Sequence, residues 1–551
     1  MPQFPKNELA QLVIASCVAN SIEHVVISPG SRNAPLTIGF TNHPTIKTYS
    51  IVDERCAAFF ALGIAQQTRK PVAVICTSGS ALLNYYPAVA EAFYSDIPFI
   101  VITADRPKHL IDIGDGQTIR QENVFENHIL DSVNLKGEAT NNLNVLQNAF
   151  KNAILKKGPI HINVPFDEPL YEVTDEILTL DQSQFEIGET PLNVDELQKF
   201  ATIWNESSKK MVLVGTNFPD ELLQRQLNKI IEDDSVIVLT ETTSNLYHAS
   251  FISGIDSTIF PLTNAELELL KPDILLTFGG MIVSKKVKQF LRKYQPKHHW
   301  HVDSKKANDT FFCLNNHFKI SPQLFFSQFF FLTKKRDSNY QKMWQQIKRN
   351  RIQKHQEFLV DCKYSDLKIL ESVLESIPDN VQLQLGNSSI IRYSQLFNLN
   401  KTLKIFCNRG TSGIDGSTST AIGAASIDDG QTIFITGDVS FFYDSNALWN
   451  SNIKNNFRII IVNNNGGGIF KFIPGPKKTN ALSYFETPHG LTAKHLAVMH
   501  GFEYNSAKKI KDVDVLLKNF YSDSNQPKIL EIFTPSNEND LILKSYFKSL
   551  K

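Results

Sequence analysis

The sequence predicts an α/β protein built from three domains, each a doubly wound parallel sheet. Strand-length apolar runs alternate with helical stretches in three successive blocks, which is typical of parallel sheets covered on both faces. The distinctive polar clusters directly follow strands, where ligands bind in such sheets. The chain has 551 residues, enough for three or four domains at ~150 residues each.

The composition is that of an ordinary globular chain, with 42% hydrophobic and 20% charged residues. Its 56 basic and 56 acidic residues cancel, which argues against a general nucleic-acid or anionic-membrane binder. The six cysteines are scattered and indicate buried thiols in a reducing compartment. No apolar run approaches the ~20 residues that span a bilayer. The start, MPQFPKNELAQLV, does not resemble a signal peptide, so we expect a cytoplasmic protein.

The first block covers residues 1–180, with strands expected at 24–28, 48–52, 71–76 and 98–103. A helical pattern, DERCAAFFALGIAQQ, follows the second of these runs. The polar clusters SPGSR, DER and TSG each come directly after a strand. We therefore expect them to meet at the carboxyl edge of one sheet.

The second block covers residues 195–335, with strands expected at 211–215, 235–241, 272–280 and 300–304. A polar linker at 181–197 precedes it, and a basic, Gln-rich segment follows it. The charges of that basic segment are predicted to form a solvated helix face: Lys342, Lys348, Arg349, Arg351 and Lys354.

The third block covers residues 360–551, with strands expected at 381–386, 403–408, 431–437, 457–463 and 528–534. Eleven of the 26 glycines of the chain lie between Gly386 and Gly475. Glycine lets the backbone approach a ligand closely, so that N–H groups can contact phosphate oxygens. The third block is therefore the expected phosphate-binding region.

Two oxygen ligands for a metal follow strands in this third block. Asp438 ends the strand of ITGDVS, and 26 positions later Asn464 lies in NNNGGG. A carboxylate, an amide oxygen and a nearby carbonyl are ligands that Mg²⁺ favours, with phosphates and water completing the octahedron. We therefore predict a Mg²⁺–diphosphate site. The alternative is an ordinary turn at Gly437 and an ordinary surface loop at NNNGGG.

This pair of motifs resembles the binding signature of the thiamine-diphosphate (ThDP) enzymes. The resemblance implies that Mg²⁺, or Mn²⁺ in its place, is bound by Asp438, Asn464 and the carbonyl of Gly466. It also implies that Gly437 and Val439 lie against the cofactor. Val439 departs from the signature, which has a second glycine at that position.

A motif in the first block supports the same resemblance. Glu54 begins the run ERCAA, which is similar to a pattern whose Glu lies beside N1′ of the ThDP aminopyrimidine. A carboxyl group that shares a proton with N1′ stabilises the imino tautomer, whose 4′-imine can deprotonate C2 of the thiazolium. A partly buried Glu with a raised pKa suits this task. The alternative is that Glu54 only stabilises the start of a helix.

Two apolar residues are candidates for contact with the cofactor. We expect Ile414, in NRGTSGIDG, to support the folded cofactor between its two rings. Ile469 is expected to contact it after the metal loop. The alternative for both is an ordinary core position.

Polar residues that follow the strands indicate the charge of the substrates. The candidate residues are Ser31, Arg32, Gln117, Lys285, Lys286, Ser388, Arg392 and Arg409. An Arg fork binds a carboxylate bidentately, whereas Lys supplies a point charge. So many cations predict substrates with several carboxylates, since an enzyme for simple pyruvate needs fewer. The alternative for each Arg is a structural ion pair.

The whole set of motifs resembles the MenD family of ThDP-dependent transferases, the 2-succinyl-5-enolpyruvyl-6-hydroxy-3-cyclohexene-1-carboxylate (SEPHCHC) synthases of menaquinone biosynthesis. The matching motifs are SPGSR, DER, GDGQTIRQ, NRGTSGIDG, GDVSFFYDSNAL and NNNGGGIF. The middle block matches weakly, and Lys286 departs from the usual Lys-Arg pair of the family. The resemblance implies the ThDP-binding fold, with a pyrimidine domain at 1–180, a central domain at 195–335 and a pyrophosphate domain at 360–551.

The resemblance also implies a reaction. The family decarboxylates 2-oxoglutarate and adds the succinic-semialdehyde carbanion to isochorismate in a 1,4, Stetter-like addition, which gives SEPHCHC and CO₂. Glu54 would activate the cofactor, and Gln117 would bind a substrate oxygen. The residues expected near substrate carboxylates are Ser31, Arg32, Lys285, Lys286, Ser388, Arg392 and Arg409.

Glu54 and Asp438 lie in different blocks of the chain. In ThDP enzymes of this kind the cofactor spans two subunits, so the resemblance implies a homodimer or homotetramer with the active site at the interface. Two alternatives stay open: another ThDP-dependent 2-oxoacid decarboxylase or acetolactate-synthase-like enzyme, and a regulatory protein with a degenerate ThDP fold. A dinucleotide-binding fold is disfavoured, because the early strands lack G-x-G-x-x-G.

Overall fold

The computed structural model describes residues 3–137, 141–183, 185, 188–472 and 475–551. Within these ranges the strands pair into three parallel sheets with flanking helices and one short antiparallel pair. The predicted α/β class, with three parallel-sheet domains, is confirmed. In the same ranges the structure has no helix long and apolar enough to cross a membrane.

The first domain contains a sheet of order β3-β2-β4-β5-β7-β6 and an antiparallel β1-β8 pair. Its strands are β1 (Phe4–Pro5), β2 (His24–Ile27), β3 (Lys47–Ser50), β4 (Val72–Cys76), β5 (Phe99–Asp105), β6 (Asp131–Asn134), β7 (Pro159–Pro165) and β8 (Val173–Thr174). Its helices are α1 (Glu8–Ala19), α2 (Ala34–Asn42), α3 (Glu54–Thr68), α4 (Tyr86–Tyr94) and α5 (Asn142–Leu155). The strand order reverses between β2 and β4, and the loops that follow these strands therefore border a ligand crevice.

The central domain contains a sheet of order β10-β9-β11-β12-β13. Its strands are β9 (Lys210–Val214), β10 (Val236–Thr240), β11 (Ile274–Phe278), β12 (His298–Val302) and β13 (Leu314–Phe318). The helices from this part of the chain are α6 (Val194–Glu206), α7 (Glu221–Ile230), α8 (Ile255–Ile259), α9 (Asn264–Leu270), α10 (Lys285–Lys293), α11 (Pro322–Phe329) and α12 (Tyr340–Val360).

The third domain contains a sheet of order β15-β14-β16-β17-β19-β18. Its strands are β14 (Gln382–Leu385), β15 (Lys404–Phe406), β16 (Thr432–Gly437), β17 (Arg458–Asn463), β18 (Glu503–Ala507) and β19 (Lys528–Phe533). Its helices are α13 (Asp366–Ser376), α14 (Ser389–Ser394), α15 (Ser417–Ile427), α16 (Asp438–Tyr443), α17 (Ala481–Glu486), α18 (Lys494–Met499), α19 (Ile510–Phe520) and α20 (Asn539–Ser549). The order reverses between β14 and β16, so the loops after these strands border the second crevice.

Besides the short β1–β8 pair, four strands of the parallel sheets lie outside the predicted runs: β6, β7, β13 and β18. Strand β7 is interrupted by polar residues that bond inside the fold: Thr103 Oγ1 lies 2.7 Å from His161 Nε2 and donates to Asn163 Oδ1 at 2.8 Å. The other three form edges of their sheets, where burial is partial and the apolar pattern is weak.

The basic segment forms α12, but its charges are not all solvated. Lys342 and Arg349 are exposed as predicted. Lys348 Nζ donates to two carbonyl oxygens of residues 249–251, at 2.6 and 2.7 Å. Arg351 is buried, and its guanidinium donates to the carbonyl that caps α20. The prediction is wrong for these two residues because α12 packs against other elements whose free carbonyls accept from the cations.

Helices α3 and α15 hold the first domain against the third. A Cβ atom on Gly63 would clash with the carbonyl oxygen of Thr420, and one on Gly423 would clash with the carbonyl oxygen of Phe60. Only glycine lets the two backbones approach this closely. One buried apolar cluster consequently runs from α3 through α15 into the third sheet.

The central domain is bonded to both of its neighbours. Asp96 of the first domain pairs with Lys305 and with Lys306, the latter at 2.7 Å. Asn245 bonds the backbone of Ile405 in the third domain twice, donating at 2.9 Å and accepting at 2.8 Å. The Asn245 bonds place the loop after β10 beside β15 of the third sheet, and the lysines place the loop after β12 against the first domain.

We predict that Gly63→Ala lowers the free energy of unfolding by ~1–3 kcal/mol, because the added methyl group forces α3 away from α15. Chemical denaturation of the purified protein measures this change. Gly490→Ala is the control, since a Cβ atom there would have no neighbour within 4 Å among the described residues. Equal stability of the two variants would contradict the proposed close crossing.

Candidate active site

Asp438 and Asn464 meet at the carboxyl edge of the third sheet. Asp438 begins α16 directly after β16, and Asn464 follows β17. Both are buried, with exposures of 3% and 8%. Asp438 Oδ1 accepts from the N–H of Val439 at 2.7 Å, and Oδ2 accepts from the N–H of Gly466 at 2.9 Å. The carboxylate of Asp438 is thus hydrogen-bonded to the loop that carries Asn464, through the N–H of Gly466.

Gly466 is at a position that only glycine can occupy. Its φ is +147°, and a Cβ atom would lie 2.5 Å from the carbonyl oxygen of Glu486. Its own carbonyl oxygen accepts from the N–H of Gly468 at 2.9 Å, which leaves a second lone pair. A metal ligand at this carbonyl is compatible with the local backbone.

The side chain of Asn464 fits a metal ion. Its Nδ2 donates to Asp366 Oδ2 at 2.9 Å, so Oδ1 faces the opposite way. Among the described residues, buried Oδ1 has no hydrogen-bond partner. A buried polar oxygen is costly unless something binds it. With the carboxylate of Asp438 and the Gly466 carbonyl, it forms a set of hard oxygen ligands suited to Mg²⁺ or Mn²⁺.

His489 stands beside this set and was missed by the sequence analysis. Its Nδ1 accepts from the N–H of Leu491 at 3.1 Å, which places the proton of the neutral ring on Nε2. Nε2 lies 3.3 Å from Asp438 Oδ2. The N–H of His489 Nε2 is therefore a hydrogen-bond donor beside the Asp438 carboxylate.

Ile414 and Ile469 are half-buried. Within residues 3–137, 141–183, 185, 188–472 and 475–551, neither belongs to an apolar core cluster. Ile414 precedes α15, and its carbonyl oxygen accepts from Ser440 Oγ at 3.3 Å. The ordinary-core alternative is therefore disfavoured for both residues. Gly437 and Val439 are half-buried as well, on either side of Asp438.

Glu54 is the first residue of α3, but it does not cap this helix. Asp53 is the cap, since its Oδ1 accepts from the N–H of Cys56 at 3.1 Å. The Glu54 carboxylate accepts from Asn84 Nδ2 at 3.4 Å. Burial raises the pKa of Glu54, and the charge of Asp53 adds to the rise. A carboxyl group that retains its proton to higher pH suits proton sharing.

The neighbours of Glu54 in sequence contact the third domain. Arg55 lies 3.2 Å from Asp444 and also donates to the carbonyl of Asp415. Asp53 accepts from Asn446 Nδ2 at 2.8 Å. In the part of the chain that the structure describes, no hydrogen bond or ion pair joins Glu54 itself to Asp438 or Asn464.

Three other predicted residues lie on loops of the first domain. Ser31 and Gln117 are exposed, and the backbone of Gln117 lies against Gly79, with a φ of +55°. Arg32 is buried and donates to the carbonyl of Phe166 at 3.0 Å. Its Nε has no partner among the residues described. Arg32 also forms an ion pair with Glu168 at 3.3 Å, which agrees with the alternative of a structural role.

Ser388 and Arg409 border the crevice between β14 and β16. Ser388 has a φ of +69° with a ψ of −119°, a conformation that costs a non-glycine residue ~1–3 kcal/mol and is common at functional sites. Arg409 is 8% exposed and donates to Asn387 Oδ1 at 2.8 Å. Its Nε is without a partner in the described ranges. Arg409 is thus a buried cation that is only partly hydrogen-bonded.

Arg392 lies beside Arg409, and the central domain adds a third cation. Burial lowers the pKa of Arg392, and the charge of Arg409 lowers it further. Burial also lowers the pKa of Lys288. The charge of Glu241 raises this pKa, whereas the charges of Arg409 and Arg392 lower it. The pKa of Lys288, in the central domain, is thus lowered by two arginines of the third domain, while Asp256 and Glu241 oppose the fall in the pKa of Arg392.

The predicted pair Lys285-Lys286 begins α10. Lys285 is exposed, and Lys286 Nζ lies 4.5 Å from the ring centre of Phe260. Lys288, one turn beyond Lys285, is the lysine of this helix that the two arginines influence. The sequence KKVK contains this spacing, so helical periodicity could have identified it.

Two buried carboxylates hold the loops around these cations. Glu241 accepts from the N–H groups of Val283 at 2.7 Å and Ser284 at 2.6 Å, and burial raises its pKa to about 7. Glu91 of the first domain accepts from the N–H groups of Gly410 at 2.7 Å and Thr411 at 2.6 Å. Neither was predicted, because their partners are remote in sequence.

Models of three thiamine pyrophosphate enzyme domains match the chain in succession. They are the N-terminal TPP binding domain at residues 7–135, the middle domain at 192–385 and the C-terminal TPP binding domain at 385–532. In fold, the chain is similar to a benzoylformate decarboxylase from Polynucleobacter necessarius, with a TM-score of 0.72, 14% identity and coverage of 96% of this chain and 99% of that one.

Three curated relatives bear the name 2-succinyl-5-enolpyruvyl-6-hydroxy-3-cyclohexene-1-carboxylate synthase. The protein of Christiangramia forsetii is 54% identical, with 100% of both chains covered. That of Flavobacterium johnsoniae is 53% identical over 99% of this chain and 100% of the relative. That of Porphyromonas gingivalis is 37% identical over 96% and 94%.

Proposed function

The chain belongs to the SEPHCHC synthase family of thiamine pyrophosphate enzymes, and we propose that it catalyses the reaction of that family in menaquinone biosynthesis. It decarboxylates 2-oxoglutarate and adds the four-carbon remainder to isochorismate in a 1,4-addition, giving SEPHCHC and CO₂. The observation that carries this proposal is 54% identity over the whole chain to a relative of that name. The residues of the candidate site support it.

The metal and cofactor sites agree with this chemistry. Asp438, Asn464 and the Gly466 carbonyl would hold Mg²⁺ or Mn²⁺, and the partnerless oxygen of Asn464 supports this assignment. ThDP, when bound, supplies the electron sink for decarboxylation and carbon–carbon bond formation. Glu54 would hold a proton at its carboxyl group and share it with N1′ of the aminopyrimidine. Ile414 and Ile469, which are half-buried, would contact the cofactor.

The cations around the crevice are suited to dicarboxylate substrates. Both proposed substrates carry two carboxylates, and several cations in a partly buried site would repel one another without an anion. The residues that we assign to substrate carboxylates are Arg32, Arg392 and Arg409, with Ser31, Ser388, Lys285, Lys286 and Lys288 near them. Gln117 would bind a substrate oxygen.

We further infer that the active site is completed by a second copy of the chain. Glu54 forms its hydrogen bond within the first domain, whereas Asp438 bonds the metal loop of the third. Large apolar side chains are exposed beside that loop: Tyr484, Phe485, Leu491, Val498 and Met499. An exposed apolar patch next to a binding site supports a protein interface, here a homodimer or a tetramer of two such dimers.

The second candidate is another ThDP-dependent 2-oxoacid enzyme, such as an acetolactate synthase or a decarboxylase. The fold likeness to benzoylformate decarboxylase is shared by both candidates. The convergence of Arg392, Arg409 and Lys288 favours the synthase, because a monocarboxylate substrate does not require three cations.

The assay that tests the function uses the purified protein with ThDP, Mg²⁺, 2-oxoglutarate and isochorismate. We expect consumption of isochorismate, followed by its absorbance, to depend on 2-oxoglutarate and to release CO₂. Reactions that lack either substrate are the controls. Turnover of pyruvate alone, with no consumption of isochorismate, would exclude the synthase and favour the second candidate.

We predict that Asp438→Ala abolishes Mg²⁺-dependent ThDP binding. Loss of an outer partner of a metal ligand typically costs ~10–100-fold in affinity, and loss of the ligand itself should cost more. Isothermal titration of ThDP at fixed Mg²⁺ measures the change. Asp429→Ala, an exposed carboxylate of the same domain, is the control. Unchanged affinity of Asp438→Ala would remove this residue from the metal site.

We predict that Glu54→Gln binds Mg²⁺ and ThDP normally but loses ~10²–10⁴-fold in kcat, the usual contribution of acid–base catalysis. The amide keeps the shape of the side chain but cannot share a proton. Single-turnover kinetics with saturating cofactor measure the loss, and titration of ThDP checks that binding is retained. Activity close to that of the unmodified protein would contradict the assigned role.

A further inference from the structure

The carboxylate of Asp366 lies directly behind the metal loop. It accepts from Asn464 Nδ2 at 2.9 Å and from Thr534 Oγ1 at 2.5 Å. The backbone N–H of Asp366 donates to Asn539 Oδ1 at 2.9 Å. The residue is only 2% exposed, so these contacts define its position.

We propose that Asp366 is a positioning residue, which turns the Asn464 amide so that Oδ1 rather than Nδ2 faces the metal. Nothing in the motif of the metal loop assigns this role, since Asp366 lies 98 positions before Asn464. The inference rests on the proposed function, because it concerns the same cofactor site.

The argument depends on the chemistry of the amide group. Its two ends have nearly the same shape, but only the oxygen can bind a cation. An ionised carboxylate is purely an acceptor, so Asp366 can bond the NH₂ end of Asn464 but not the oxygen end. Both orientations of the amide would fit sterically, and the carboxylate selects one of them. Outer partners of metal ligands commonly act in this way.

Thr534 makes the position of Asp366 still more definite. It directly follows β19, the strand beside β17 in the sheet. The Thr534 hydroxyl occupies Asp366 Oδ1, which leaves Oδ2 for Asn464. The sheet therefore controls both the ligand loop and the group that orients the ligand.

A purely structural role at the start of α13 explains less of the geometry. An acidic residue in the first helical turn stabilises that helix, but the cap is Ser365, whose Oγ accepts from the N–H of Lys368 at 3.3 Å. Asp366 is buried, and burying a carboxylate is costly unless hydrogen bonds compensate it. A charge can stabilise a helix end from an exposed position. A carboxylate that orients the buried Asn464 must itself be buried beside it.

The first test is Asp366→Ala, measured by isothermal titration of ThDP at fixed Mg²⁺ and of Mg²⁺ at fixed ThDP. We expect both affinities to fall by ~10–100-fold. Glu371→Gln is the matched control: it removes another carboxylate of α13, one that pairs with Lys368 at 2.7 Å. A structural role alone would lower the melting temperature and leave the affinities of the folded protein unchanged, which would overturn the proposal.

The second test exchanges the two side chains. In Asp366→Asn the new amide can turn either end toward Asn464, because the Thr534 hydroxyl can donate or accept at the other end. The orientation of Asn464 is then no longer selected, so affinity should fall. In Asn464→Asp three carboxylates would crowd the site, and affinity should fall again. The double variant D366N/N464D restores an amide–carboxylate pair and an oxygen that faces the metal. We expect it to bind Mg²⁺–ThDP at least tenfold more tightly than either single variant.

The D366N/N464D variants test the positioning role even if Asp366→Ala does not fold. A double variant that binds less than tenfold more tightly than the better of the two single variants would overturn the positioning role. Failure of the unmodified protein to bind ThDP with Mg²⁺ would instead refute the proposed function. Normal binding by the unmodified protein, together with equal binding by Asp366→Ala, would refute only the role of Asp366.

Discussion

The close crossing of α3 and α15 is the contact on which the candidate site depends. Gly63 and Gly423 let the two backbones touch, and this sets the distance between the first domain and the third. Helix α3 begins at Glu54, and α15 follows the loop that carries Arg409 and Ile414. Glu91 then bonds the same loop from the first domain at 2.7 Å. The helix pair therefore fixes the positions of Glu54 and of the loop that carries Arg409, which we propose to act in catalysis and substrate binding.

The sequence predicts the parts of this arrangement that depend on local patterns. The proximity of Asp438 and Asn464 is predictable because each follows a buried apolar strand, and parallel strands bring their carboxyl ends together. Asp366 could not be found in this way, because its partner is 98 positions away and neither residue forms a pattern with the other. Lys288 lies three positions after Lys285 on α10. This helical spacing is less evident in the sequence than the adjacent pair Lys285-Lys286. Contacts between remote elements, rather than the elements themselves, were the information missing from the sequence.

The zero net charge of the chain conceals a local excess of cations. The charges of Asp256 and Glu241 both oppose the fall in the pKa of Arg392. Glu241 accepts from backbone N–H groups with both of its oxygens. It therefore holds the loop after β11 without forming an ion pair with the arginines in the described structure. A site for polycarboxylates needs cations that are not already neutralised, and a carboxylate bonded to the backbone provides shape without cancelling that charge.

The same helix pair supports the proposal that two copies of the chain complete the active site. It brings Asp53 and Arg55 onto the third domain, while Glu54 between them bonds to Asn84 of its own domain. The metal loop lies on a surface flanked by exposed apolar side chains. These contacts support the proposal that a cofactor in contact with both Glu54 and Asp438 bridges two copies of the chain. Binding of the cofactor and association of the subunits then stabilise each other, since each favours the state that the other requires.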